Sequence, residues 1–191
     1  NEARIDTVLS WMSNSNDPVD FGTVYFSFVD SQGHRYGPDS EEVVAAIQEA
    51  DELLGYLLKE LEGVDPDGNI NLMIVSDHGM IEVLPSKKVI LDDYINVGDI
   101  EVISYSPALM FKVRESGNEA EIYSALKSNQ NNYKVYSKED IPERYHLKEN
   151  IRTPDFLMVA EEGYTINMRE YFESRGEDYP SGGAHGFDNS N

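Results

Sequence analysis

The chain has 191 residues, 40% of them apolar, no cysteine, and 36 acidic against 15 basic side chains, a formal charge of −21. That length and apolar share suit a buried globular core. A surface so acidic repels polyanions, which excludes non-specific binding to nucleic-acid polymers or to anionic membrane. No apolar run is long enough to cross a bilayer, and no basic-then-apolar leader opens the chain. Residues 21–29 form a continuous apolar, β-branched and aromatic run, read as a strand buried on both faces and ending at Asp30. Residues 31–38 are polar and glycine-containing, read as a turn. A helix is then predicted from Ser40, which can cap it, with Glu41 and Glu42 in the first turn. Val43, Ile47, Ala50, Leu54, Leu57 and Leu61 give that helix one apolar face, and Gly63 with the turn 65–68 stops it. Residues 71–76 read as a second buried strand, ending at Asp77. Strand, helix, strand of this length is a βαβ unit, expected to be parallel with a right-handed crossover.

From 99 to 162 the rhythm changes to a smaller α+β insertion. Short strands are expected near 100–104, 108–113, 133–136 and 155–160, with a helix over 118–128 whose apolar side is Ile122, Tyr123 and Leu126. Residues 163–191 read as a loop returning toward His185 through Gly182 and Gly183. The organisation expected is therefore an α/β core over 1–98, the insertion over 99–162 and the returning loop. The chain opens at Asn1 without an initiator methionine and stops shortly after its last motif, so a fragment of a longer protein is expected.

Three histidines stand beside acids or glycines in the manner of metal ligands: Asp30-x-x-x-His34, Ser76-Asp77-His78-Gly79 and His185-Gly186-Phe187-Asp188-Asn189. With no thiolate in the chain, imidazole and carboxylate are the ligands left for zinc or a similar ion. Taken alone, Asp30 and His34 read more readily as a capping aspartate and an exposed loop histidine. Asp77 and His78 are more specific, because a charged pair at the end of a buried strand without a function would be left poorly solvated. His146, in Arg144-Tyr145-His146-Leu147, has no acid or glycine beside it and reads as a surface residue. Five candidates are too many for one tetrahedral ion and too few for two. No glycine-rich phosphate loop with Lys-Ser/Thr and no G-x-S-x-G elbow is present.

In this order the motifs resemble the type I phosphodiesterase/nucleotide pyrophosphatase family of the alkaline phosphatase superfamily. The matching stretches are Val29-Asp30-Ser31-Gln32-Gly33-His34-Arg35-Tyr36-Gly37-Pro38-Asp39, Ile74-Val75-Ser76-Asp77-His78-Gly79-Met80 and Ala184-His185-Gly186-Phe187-Asp188-Asn189. The long helix between the first two, and Val135-Tyr136-Ser137-Lys138-Glu139-Asp140-Ile141-Pro142, also look like the family. The resemblance implies an alkaline-phosphatase-like, mostly parallel sheet flanked by helices, with two zinc ions at the strand ends. Carried over by motif, Asp30, His34 and His185 would hold the first zinc, and Asp77 and His78 would give two ligands to the second. The second site's remaining aspartate and the threonine nucleophile would lie upstream of this chain; Thr23 matches no nucleophile motif. Departures are small: Phe28-Val29 stands where Glu-Pro is frequent and Phe187 where tyrosine is usual, and neither removes a ligand.

The implied activity is hydrolysis of a small-molecule phosphodiester or pyrophosphate through a covalent phospho-threonine, on nucleotides, choline phosphodiesters or lysophospholipids. The family's setting would be extracellular, cell-surface or periplasmic. Two alternatives stand beside it. One is a short relative that binds metal or phosphate without turnover; the other is a phosphomutase or monoesterase of the same superfamily.

Overall fold

Ile5, Val8, Leu9 and Met12 recur at helical spacing and form the inner face of the first helix, α1 (Glu2–Met12). The computed structural model describes residues 1–190 apart from Ser15, Pro18 and 177–181. These divide into two units, Asn1–Gly79 and Met80–Asn191. In the first unit, α3 (Glu41–Val64) packs against both α1 and α2 (Phe28–Tyr36). The expected cap of α3 is formed: Ser40 Oγ accepts from the Val43 N–H at 3.3 Å, and Glu41 and Glu42 occupy the first turn. The face α3 buries is rotated from the expected one. Val43, Ala46 and Leu53 are buried, whereas Ile47 lies on the exposed side. The rotation follows from α1, whose Ile5, Val8 and Leu9 meet Leu53, with Leu57 and Leu61 packed against them.

The strands expected over 21–29 and 71–76 are not formed among the described residues, and the βαβ unit is reduced to its helix. A strand exists only as part of a ladder, and neither run pairs with another strand among the described residues. The Tyr25 carbonyl accepts from the Arg4 guanidinium at 2.8 Å, and the Ser27 carbonyl accepts from the Ser31 N–H at 3.0 Å. That second bond belongs to α2, which begins inside the expected strand and runs through the expected turn. Residues 21–27 keep an alternation nonetheless: Val24 and Phe26 pack on the α1–α3 core, while Phe21 and Tyr25 face outward. Gly22 is required for this close approach, since a Cβ there would sit 2.8 Å from Val8 Cγ2.

The second unit follows the predicted pattern closely in its middle. It contains the strands β1 (Ile81–Val83), β2 (Lys88–Ile90), β3 (Ile100–Ser104) and β4 (Ala108–Val113), then α4 (Glu119–Lys127). After these come β5 (Tyr133–Ser137), β6 (Phe156–Ala160), β7 (Thr165–Asn167), α5 (Arg169–Ser174) and β8 (Gly182–Ala184). β3, β4, β6 and β5 form, in that order, an antiparallel sheet. β2 and β7 pair in parallel, and β1 and β8 antiparallel. The part of 163–180 that is described is thus a strand and a short helix rather than the loop expected there.

Every residue of β6 is buried. Phe156, Met158 and Ala160 face a core completed by Ile122 and Leu126 of α4, Phe111, Tyr133 and Val135. Leu157 and Val159 face the other way, against Ile141, Tyr145 and Leu147. Tyr133 buries its ring and donates its hydroxyl to the Leu126 carbonyl at 2.8 Å; burial, with Tyr94 adding to it, pushes its pKa up to about 12. Phe111 and Phe156 stack with ring centroids 5.2 Å apart. Phe111→Ala should cost roughly 3–5 kcal/mol of stability, read by denaturant unfolding; a loss near that of an exposed substitution would show that this sheet face is not the core.

Candidate metal centre

Within the first unit, helix geometry does what a strand-end loop was expected to do. Asp30 lies in the first turn of α2 and His34 one turn later, so their side chains share a face. His34 Nε2 stands 3.4 Å from Asp30 Oδ1, an oxygen shielded from solvent. Residues 76–79 form a self-tied turn. Ser76 Oγ donates to the His78 carbonyl at 2.7 Å, and the His78 N–H donates to Asp77 Oδ1 at 3.1 Å. The turn leaves Asp77 Oδ2 at 3.6 Å from His78 Nε2 and brings that nitrogen to 4.0 Å from Asp30 Oδ1. The Asp30–His34 and Asp77–His78 pairs, read separately from the sequence, are therefore neighbours.

The histidine tautomer sharpens the chemistry. His78 Nδ1 lies 2.9 Å from the Gly79 carbonyl, which can only accept, so Nδ1 carries the hydrogen. Nε2 is then the ring nitrogen that stands near the Asp30 and Asp77 carboxylates, at 4.0 and 3.6 Å, and in a neutral ring it is the one able to ligate a cation. Ligand atoms on one tetrahedral zinc, each about 2.0–2.2 Å from the ion, stand about 3.3 Å apart. The 3.4 and 3.6 Å separations of the two pairs match that spacing. The donor set and its spacing fit a divalent transition ion.

His185 belongs to the second unit, where it follows β8 directly. The ladder with β1 aligns Ile81 with Ala184 and Val83 with Gly182. Gly186 then turns at φ +90°, a conformation in which a side chain is strained, and Phe187 packs against the main core. Asp188 is the anchor of this loop. Its Oδ2 accepts from Arg144 Nη2 at 2.5 Å and from the Tyr145 hydroxyl at 2.6 Å, while Oδ1 accepts from the Ser190 N–H and hydroxyl. The Arg144 guanidinium also lies over the Tyr145 ring, 4.5 Å from its centroid. The Tyr145 and Arg144 bonds hold the Asp188 carboxyl well below the usual carboxylate range, and burial with the Asp188 bond pushes Tyr145 up to about 12. The sequence reading gave no role to Arg144 or Tyr145, whose partner Asp188 lies 44 positions from Arg144. His146 itself is exposed, in the left-handed region at φ 52°.

The family model for type I phosphodiesterase/nucleotide pyrophosphatase matches residues 1–188. The chain belongs to that family. It is 35% identical over 192 residues to the human bis(5'-adenosyl)-triphosphatase ENPP4, a match spanning 99% of this chain and 40% of that relative. It is 34% identical to human ectonucleotide pyrophosphatase/phosphodiesterase family member 5, over 99% of this chain and 38% of the relative. Its structure resembles the solved murine ectonucleotide pyrophosphatase/phosphodiesterase 5 with a TM-score of 0.88 at 35% identity, covering all of this chain and 49% of that one. The architecture is accordingly the alkaline-phosphatase-like α/β fold of this family. Another murine structure of the same relative is of an inactive threonine-to-alanine variant in complex with AMP, matched at the same TM-score of 0.88. The chain thus spans about 40% of the curated relatives' length and about half of the solved structures. No helix among the described residues is long and apolar enough to cross a membrane.

A depressed carboxylate stabilises the state that holds it above its unfolded pKa, and the contribution is lost as pH falls from there. The Asp188 anchor should therefore be intact at neutrality and released as pH drops below about 4. Amide protection at 186–190, taken relative to the intrinsic exchange rate at each pH, should fall on that acidification, and Asp188→Asn should abolish the pH dependence. An unchanged acid response in the variant would mean that another group ties the loop.

Proposed function

We propose that this chain contributes most of the metal ligands of a zinc-dependent hydrolase of phosphodiester or pyrophosphate bonds. Asp30, His34 and His185 would hold one ion, and Asp77 and His78 would give two ligands to the other. The observation that carries the reading is the run of close approaches from His34 through Asp30 and His78 to Asp77, at 3.4, 4.0 and 3.6 Å. Bound there, a zinc pair would activate an attacking oxygen and neutralise charge on the phosphoryl group. The protein's share is geometry: α2 sets Asp30 against His34, and the Gly79 carbonyl orients His78. In this reading the nucleophile is a threonine outside these 191 residues, and a covalent phospho-threonine precedes release. The inactive threonine-to-alanine variant of the murine relative supports that part.

Nucleotides are favoured over choline phosphodiesters or lysophospholipids. Two observations on relatives support this: one is named for cleaving a diadenosine triphosphate, and another is solved with AMP. The acid excess of this chain, −21, fits a small-molecule substrate better than a nucleic-acid polymer. The relatives' names as ecto-enzymes support an extracellular, cell-surface or periplasmic setting.

In the full-length enzyme, Asp77→Ala or His78→Ala should lower turnover of p-nitrophenyl thymidine monophosphate more than about 100-fold and reduce bound zinc. Retained activity with full zinc content would remove both residues from the site. His146→Ala should leave turnover within about twofold, as for a surface substitution. The 191-residue chain alone should not turn the substrate over; hydrolysis at the full-length rate would place the nucleophile inside it.

A further inference from the structure

His185 stands where β8 gives way to the returning loop. The strand before it, β8, is short and carries two glycines, and the residue after it is Gly186 at φ +90°. Beneath the returning loop lies a cleft of about 220 Å³ between Leu157, Val159, Ala108 and Leu147 on one side and Gly186 to Asn189 on the other. Packing against this face of the sheet is incomplete, while Phe187 is held against the main core. A further restraint is polar: one carboxylate, Asp188, accepts from four donors, two of them carried by Arg144 and Tyr145 on the segment that covers the outer face of β6. Tyr145 and Leu147 pack against Leu157 and Val159, so the segment offering these donors is tied to the most deeply buried strand of the unit.

We propose that Arg144 and Tyr145 are positioning residues for His185, holding through Asp188 the loop that presents its imidazole. The inference rests on the reading of His185 as a metal ligand, and it deepens that reading by naming what aims the ligand. An imidazole on a loosely held loop loses conformational entropy when it binds an ion, whereas a loop already clamped three residues beyond has lost most of it in advance. The charge-assisted Arg144–Asp188 bond supplies that restraint without adding a ligand. Only one guanidinium nitrogen of Arg144 reaches Asp188, which makes a lysine a partial substitute.

The test is a zinc titration of the purified chain in competition with a chromophoric chelator, alongside thermal unfolding of the metal-free chain. Asp188→Asn keeps the shape and removes the charge; Tyr145→Phe removes one donor; Arg144→Ala and Arg144→Lys remove and partly restore the other. Zinc affinity should fall about 10- to 100-fold in Asp188→Asn and Arg144→Ala, fall less in Tyr145→Phe, and recover in Arg144→Lys, while metal-free unfolding moves by no more than a few degrees. His185→Ala serves as the reference for loss of the ligand. Wild-type affinity in Asp188→Asn together with weakened affinity in His185→Ala would overturn the positioning role and leave the ligand reading standing. Wild-type affinity in His185→Ala, or no zinc binding by the unsubstituted chain, would overturn the ligand reading and the inference with it. A weakened affinity matched by a large drop in metal-free unfolding temperature would reduce the clamp to a stabilising contact and overturn the proposal.

Discussion

The buried strand β6 is the constraint on which the second unit turns. Five consecutive residues, Phe156 to Ala160, have no solvent-facing side, so both faces of the sheet around them must be covered. One face is closed by α4 through Ile122 and Leu126. The other is closed by an irregular segment, with Ile141, Tyr145 and Leu147 laid over Leu157 and Val159. A loop that would otherwise be free to vary is thereby held as firmly as a helix, and its polar side chains become dependable reference points. Arg144 and Tyr145 reach Asp188 from that platform.

The first unit works by a different economy. Its candidate ligands sit on short-range geometry: one helical turn separates Asp30 from His34, and a turn closed by its own hydrogen bonds sets Asp77 beside His78. Local stiffness of this kind needs little surrounding core. It suits a unit whose core is a three-helix contact around Ile5, Val8, Leu9 and Leu53 rather than a filled sheet.

What was legible in the sequence follows the same division. The four strands of the α+β part were readable as short apolar, β-prone runs between turns, and the helix from its repeating apolar side. The Ser40 cap and the length of α3 were readable because a cap is local chemistry. The 21–29 run misled because hydrophobicity reports burial and β propensity, not the presence of a neighbouring strand; Phe28 and Val29 went into a helix instead. The acids and imidazoles of the candidate centre were visible as motifs, yet their mutual distances were not, since the approach of His78 to Asp30 depends on how the whole of 31–77 returns. The Arg144–Asp188 pair was invisible for the same reason: nothing in Arg144-Tyr145-His146 names its partner, and a long-range ion pair leaves no local periodicity.

One consequence concerns how copies of this molecule behave toward one another. Residues 72–75 are apolar, β-prone and exposed, with Met73 at 84% and Val75 at 77%, and Phe21 is similarly uncovered at 80%. Such a segment is a template for intermolecular pairing. In these 191 residues taken by themselves, long-range repulsion from a charge of −21 opposes that pairing. Colloidal stability is then a property of the whole acidic envelope: it weakens with added salt, and it vanishes as the pH nears the isoelectric value of about 4.3.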